Sequence, residues 1–280
     1  MAGRALPPDL ANDCIQQWRV PLDGSFFCSA VNVLLPPPAS FRSEADIRHY
    51  YLGSQVDPPL PLEDPGLWFP GLTRSGTQTE EPQGLVLCLP PSGGSEDLFT
   101  SEGTGRRRAP SPLLEVCRER QWELLAAQYP GRGTRRGEPL VTSAAEMGRR
   151  ILGAIEKRLK AGLPLVVISH SCGCWIAYEL LLEARRRGLV CGVSDSARVL
   201  AWFVSAMPSP DIPEAQRPWR RSCGLCEADL QAEARAWGAS EALFSGGLWQ
   251  VYEPILRADY RSVLGADRAG LRTKVHKTGS

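Results

Sequence analysis

A chain of 280 residues, 43% of them apolar, can bury a core of its own as one large α/β domain or two small ones. Its formal net charge of +1 gives no global field to draw in nucleic acid or an anionic membrane. Nine cysteines, an odd number scattered without a framework, argue against a disulfide scaffold and for a reducing, cytoplasmic setting. No apolar stretch follows Met1-Ala2-Gly3-Arg4 and no run approaches a membrane span, so neither a signal peptide nor a transmembrane helix is expected.

Residues 1–65 are proline-rich and are expected to form a poorly defined extension. Within them, 26–35 reads as a strand stopped by Pro36-Pro37-Pro38, and 43–52 as a short helix. Residues 64–83 read as a polar linker carrying one aromatic pair, Trp68-Phe69. A buried strand is predicted over 85–89, running into Pro90-Pro91-Ser92-Gly93-Gly94-Ser95. A glycine-rich turn after an early strand is where an α/β-hydrolase places one oxyanion donor; an ordinary turn has the same composition. Residues 101–111 hold Arg106-Arg107-Arg108 without interleaved aromatics, which fits a solvated loop and not a nucleic-acid surface. A helix over 113–121 and a second strand over 122–128 follow. Ser143-Ala144-Ala145-Glu146 is a capping box, and Met147, Ile151, Leu152, Ile155 and Leu159 mark one face of the helix that it starts.

Leu165-Val166-Val167-Ile168-Ser169-His170-Ser171-Cys172-Gly173-Cys174-Trp175 is the stretch with chemistry in it. A β-branched run breaks into small residues and becomes helix-like over 175–187. Strand, sharp turn, helix, with serine at the apex, is a nucleophile elbow, here in an S-x-S-x-G version of G-x-S-x-G. The turn strains the backbone, so the flanking residues must be small; Ser169 replaces the first glycine and still meets that need. Gly173 and Ala177 would let the helix lie close on the sheet, and Arg185-Arg186-Arg187 suit its negative dipole end. A buried strand over 199–204 and a broken helical segment over 211–242 come next. Cys223-Gly224-Leu225-Cys226 is a lone C-x-x-C; zinc needs a second ligand pair, and the only pair available, Cys172 and Cys174, is at the elbow, so no metal is expected. Residues 265–280 read as a polar tail.

Several blocks together resemble the type II thioesterase family of α/β-hydrolases. They are Trp68-Phe69, Leu87-Cys88-Leu89-Pro90-Pro91-Ser92-Gly93-Gly94-Ser95, Gln128-Tyr129-Pro130-Gly131-Arg132-Gly133 with Arg136, Glu138 and Pro139, the elbow, and Pro254-Ile255-Leu256-Arg257-Ala258-Asp259-Tyr260-Arg261. They occur in the family's order over about 66–264, with Pro91-Ser92 where the family usually has His-Ala. The resemblance implies a mostly parallel sheet flanked by helices, with a helical lid inserted after the elbow half and the last strands missing. It implies a domain over 66–264 between the extension, 1–65, and the tail. Two fragments of the extension, Gln17-Trp18-Arg19-Val20-Pro21-Leu22-Asp23 and Phe41-Arg42-Ser43-Glu44-Ala45-Asp46-Ile47-Arg48-His49-Tyr50, weakly resemble phosphopantetheinyl transferases but lack that family's acidic metal-binding motifs.

What the resemblance implies for chemistry is hydrolysis of acyl thioesters on carrier proteins, with Ser171 as nucleophile and the backbone N–H groups of Cys172 and Ser92 as oxyanion donors. No cofactor is expected, because the substrate would carry phosphopantetheine. The expected partner is an acyl carrier protein or a synthase complex. In this fold the acid and base follow the nucleophile in the order Ser, Asp, His. No block resembles the family's aspartate and histidine segments, and the chain is expected to end before either position. Asp267 and His276 have the right order but stand in a polar tail. His170 is expected to point away from Ser171, His49 lies in the extension, and Asp259 matches a position other than the triad acid. Two other readings stay open: a non-catalytic module that binds carrier or synthase, and a carboxylester hydrolase.

Overall fold

The computed structural model describes residues 59–74, 76–102, 109–190, 197–206 and 224–264. The extension fragments at 17–23 and 41–50, Cys223, Asp267 and His276 lie outside the described residues.

Four strands, β1 (Gly84–Leu89), β4 (Trp122–Ala126), β5 (Leu165–His170) and β6 (Val199–Ser205), make one sheet in the order β4-β1-β5-β6. Every pairing in it is parallel. Between β1 and β4 run a short helix α3 (Asp97–Thr100), a two-residue antiparallel ribbon of β2 (Ser101–Glu102) and β3 (Ala109–Pro110), and α4 (Pro112–Glu119). Helices α5 (Ala144–Lys160) and α6 (Cys172–Arg186) flank β5 in sequence. This is the mostly parallel, helix-flanked sheet that the sequence predicts, with four strands among the described residues.

The layers follow from the residues. All six positions of β1 are buried, as a parallel strand covered on both faces must be. Leu85, Leu87 and Leu89 face α5 and α6, joining Leu125, Leu165, Val167, Ile151, Ile155 and Leu180 in the main core. Val86 and Cys88 face the other way, onto Leu114 and Cys117 of α4. Burying each large aliphatic side chain stabilises the fold by roughly 1.5–3 kcal/mol. Ser143 caps α5 by accepting from the Glu146 amide at 3.2 Å, as its capping box predicts.

Some boundaries differ from the sequence reading. Residues 64–83 are not a linker: they hold helices α1 (Pro65–Trp68) and α2 (Gly71–Arg74), with Trp68 and Phe69 at 0% and 1% exposure. Two aromatic rings in a row carry too much apolar surface to be left in water. Packing reaches back to Leu60, and Glu63 pairs with Arg150 of α5 at 2.6 Å. Helix α4 stops at Glu119, not at 121, because Gln121 turns with φ 53° into β4. Strand β4 stops at Ala126, not at 128, because the Gln128 amide leaves the sheet to bond Trp68 O at 2.8 Å.

After β6, α7 (Glu227–Ala236), a 3-10 turn (Glu241–Phe244) and α8 (Leu248–Leu264) form a helical layer; of the helical segment expected over 211–242, the part before 224 lies outside the described residues. It has a small core of its own: Leu230, Ala234, Trp249, Leu256 and Tyr260. Among the described residues, no helix is long and apolar enough to cross a membrane.

Candidate active site

The strand order puts the site in place. From β1 the chain winds outward to β4, then crosses back over β1 to β5 and on to β6. Successive connections thus diverge between β1 and β5. In open α/β sheets the crevice at such a switch point, beyond the carboxyl ends of the strands, is where ligands bind. Residues 90–95 leave the end of β1 there, and Ser171 leaves the end of β5.

Ser171 has φ 51° and ψ −120° and sits at the N-cap of α6. A non-glycine residue with these angles is strained, and such strain persists only where the surroundings fix it. They do here: the Ser171 amide donates to Ser205 O at 2.9 Å, and the Cys174 amide donates back to Ser171 O at 3.0 Å. Helix α6 begins at Cys172, three residues earlier than the sequence predicts. Its start must fit flush against β1. A Cβ on Gly173 would meet Pro90 O at 2.8 Å, and Leu89 O closer still.

Ser169 shows how the elbow does without its first glycine. It is 1% exposed, and its hydroxyl accepts from Trp202 Nε1 at 2.7 Å and lies 3.2 Å from both Phe203 O and Cys174 Sγ. A hydroxyl of that size is satisfied in the space, so it carries no unpaired-polar penalty.

His170 turns away from Ser171, as expected. Its Nδ1 is 2.9 Å from Ser205 Oγ, and burial lowers its pKa from the usual 6.5. Among the described residues, no side chain hydrogen-bonds to the Ser171 hydroxyl. The sheet brings Ser171, Cys172 and Ser92 to one crevice; Asp267 and His276 lie outside the described residues. No group of three or more potential metal ligands is present among the described residues.

The loop facing Ser171 is a built turn. The Gly94 amide donates to Pro91 O at 2.9 Å, and Gly93 has φ 73°, the positive value that such a turn requires at its third residue. Tyr129 donates its hydroxyl to Pro90 O at 3.3 Å, and burial pushes its phenol pKa up, keeping it a neutral donor. The Cys172 thiol also faces Pro90 O, at 3.8 Å, and burial pushes its pKa up as well. The amide of Cys172 opens α6, where helix geometry leaves N–H groups without intrahelical acceptors.

Two site-forming residues have no role in the sequence reading. Asp259 of α8 accepts from the Gly93 amide at 2.8 Å. The same carboxylate takes both ends of the Arg132 guanidinium, at 2.7 and 2.6 Å. Both side chains are 4% exposed. Burial works against the charge on Arg132, but Asp259 beside it outweighs this and raises its pKa. Sequence carries one signal for Asp259, an acid between Leu256 and Tyr260 on the apolar face of a helix, but none for its partner 127 positions away.

The block 128–138 builds the wall behind the loop. Gln128 donates to Arg132 O at 3.0 Å, and Arg135 pairs with Glu138 at 2.6 Å while lying 4.3 Å over the Trp68 ring.

With this geometry in view, comparisons with known proteins assign the family. A profile of the thioesterase domain matches residues 85–276. The AMB antimetabolite synthetase AmbE of Pseudomonas aeruginosa is 33% identical over 217 residues, which cover 75% of this chain and 9% of that protein. Thioesterase PikA5 of Streptomyces venezuelae is 28% identical over 211 residues, covering 74% of this chain and 64% of that protein. The match therefore spans less than two thirds of either relative's own length. Among solved structures, ClbQ from the colibactin NRPS/PKS pathway superposes with a TM-score of 0.50 at 23% identity, over 64% of this chain and 66% of that one, a likeness of fold. The matched span contains the elbow, its facing loop and the Arg132–Asp259 pair, and the chain belongs to the thioesterase domain family.

Proposed function

We propose that this chain hydrolyses acyl thioesters held on the phosphopantetheine arm of a carrier protein, with Ser171 as the nucleophile. The observation that carries the reading is the strained Ser171 backbone, φ 51° and ψ −120°, held at the switch point opposite the 90–95 turn. Ser171 Oγ attacks the thioester carbonyl and its proton goes to the base. Charge on the carbonyl oxygen is met by the amides of Cys172 and Ser92; one such donor contributes about 3–4 kcal/mol to the barrier reduction. The C–S bond breaks, and the arm leaves as a thiol carrying the proton from the base. Water, deprotonated by the same base, then cleaves the acyl–Ser171 ester.

We assign the base to His276 and its orienting acid to Asp267. They follow Ser171 in the order that this fold uses, and the family match extends to residue 276, although neither residue stands in a segment resembling the family's aspartate and histidine blocks. The partner is a carrier domain or a synthase that bears one. Relatives named as a thioesterase, as an antimetabolite synthetase and as part of an NRPS/PKS pathway support that class of partner.

The alternative is a non-catalytic module that binds the carrier; His170, turned toward Ser205, is a base in neither reading. Steady-state hydrolysis of an acyl-pantetheine thioester separates the two. Turnover that is lost in Ser171→Ala and falls at least 1,000-fold in His276→Ala is the expected result, since members of a triad act as a unit. Carrier binding without any turnover assigns the binding module instead, and faster cleavage of the matching oxygen ester assigns a carboxylester hydrolase.

A further inference from the structure

We propose that Asp259 is a positioning residue for the oxyanion loop, holding the Ser92–Gly93 peptide in place from α8, with Arg132 fixing the orientation of its carboxylate. The inference rests on the hydrolase reading for its catalytic consequence, but its geometry stands by itself. Loop 90–95 is tied at one end by Tyr129 to Pro90 O, at 3.3 Å. At the other end the Gly93 amide has one acceptor, Asp259 Oδ2, at 2.8 Å. Ser92, whose amide is the oxyanion donor in the proposed mechanism, stands between these two ties.

The carboxylate cannot swing. Arg132 grips both oxygens, and its guanidinium lies 5.4 Å from the Tyr129 ring, on the block that also holds Pro90. The same face of α8 brings Tyr252 and Leu256 against Gly93. Positions 252, 256 and 259 follow helical spacing, so one face of one helix covers and braces the turn. Asp259 touches no reacting atom. It acts through Gly93 on where the Ser92 amide points, and donors in an oxyanion hole work only if they are aimed before the reaction.

Removing Asp259 alone leaves Arg132 buried and unpaired, which unfolds marginal proteins whatever the role of the pair. The test therefore changes both partners. In R132L/D259L the buried charges vanish together and Gly93 loses its acceptor. In R132L/D259N a neutral carbonyl oxygen is restored to it. For an acyl-pantetheine thioester we expect kcat to fall about 10- to 100-fold in R132L/D259L with KM within about twofold, and to recover in R132L/D259N, as a displaced donor predicts. Amide hydrogen exchange over residues 90–95 is expected to rise at least tenfold in the first variant and return in the second.

A folded R132L/D259L with wild-type kcat overturns the proposal. So does faster exchange spread over the whole chain, which marks a purely structural pair. If the wild type hydrolyses no thioester, the hydrolase reading fails, and exchange over 90–95 still decides this one: a rise confined to the loop upholds it, and no change overturns it.

Discussion

His170 adjoins Ser171 in the sequence, yet its ring is committed to Ser205 Oγ at 2.9 Å and is partly buried. Burial lowers its pKa below the ordinary 6.5. The folded chain therefore keeps this imidazole neutral where the unfolded chain has begun to protonate. Between the folded value and 6.5 the unfolded state binds more protons, so stability rises with pH through that window. The contribution is complete above about 6.5 and is lost as the pH falls below it. Urea unfolding of the wild type is expected to shift to lower midpoints from pH 7 to pH 5.5, and His170→Asn to shift less. Equal shifts in both would mean that the ring is not held neutral by the fold. The neighbouring Ser169 teaches the complementary point. A glycine pattern is relaxed there because Trp202 Nε1 supplies a partner at 2.7 Å, a contact 33 positions away that no local motif encodes.

Helix α6 meets β1 through Gly173, where an added Cβ would run into Leu89 O and Pro90 O. These are backbone atoms, so the helix itself must move. Gly173→Ala is expected to lose about 1–3 kcal/mol of stability, the range for overpacking a tight site. Because Leu89-Pro90 opens the oxyanion loop, it should also slow covalent labelling of Ser171 by a fluorophosphonate. Gly148→Ala is the control. Its Cβ would meet Leu180 N at 2.9 Å across the α5–α6 contact, away from the loop. It should lose stability and keep the labelling rate; equal labelling losses in both would detach the Gly173 contact from the site. Elements of this kind were readable where burial pattern and composition agree. The β-branched run of β5 and the apolar stripe of α5 both announce themselves. The start of α6 was not, because Cys172-Gly173-Cys174 looks like loop composition. Those residues are small to let the helix N-terminus press on β1, a reason that becomes visible only once the strand is there.

At the scale of the whole molecule, the fold was legible through local patterns, and the brace between α8 and the loop was not. Gly93 and Asp259 are 166 positions apart, and nothing near either one names the other. What that distance buys is a test of whether the helical layer and the sheet unfold as one body. Five cysteines fall among the described residues, and none is in a disulfide. Cys226 is exposed, at the start of α7. Cys88 and Cys117 lie between the sheet and α4, Cys172 lies under loop 90–95, and Cys174 lies against Ser205 O at 3.4 Å. Burial raises the pKa of all four, that of Cys117 to about 11, so closed structure and scarce thiolate both protect them. Alkylation of the native chain at pH 8 is expected to modify Cys226 and spare these four. Under rising urea, a brace that couples the layers makes Cys172 and Cys88 reactive at one midpoint, since the loop cannot open while α8 is docked. In R132L/D259L, where that tie is cut, Cys172 should become reactive at lower urea than Cys88. If Cys172 leads already in the wild type, the loop opens independently of the core and α8 does not hold it.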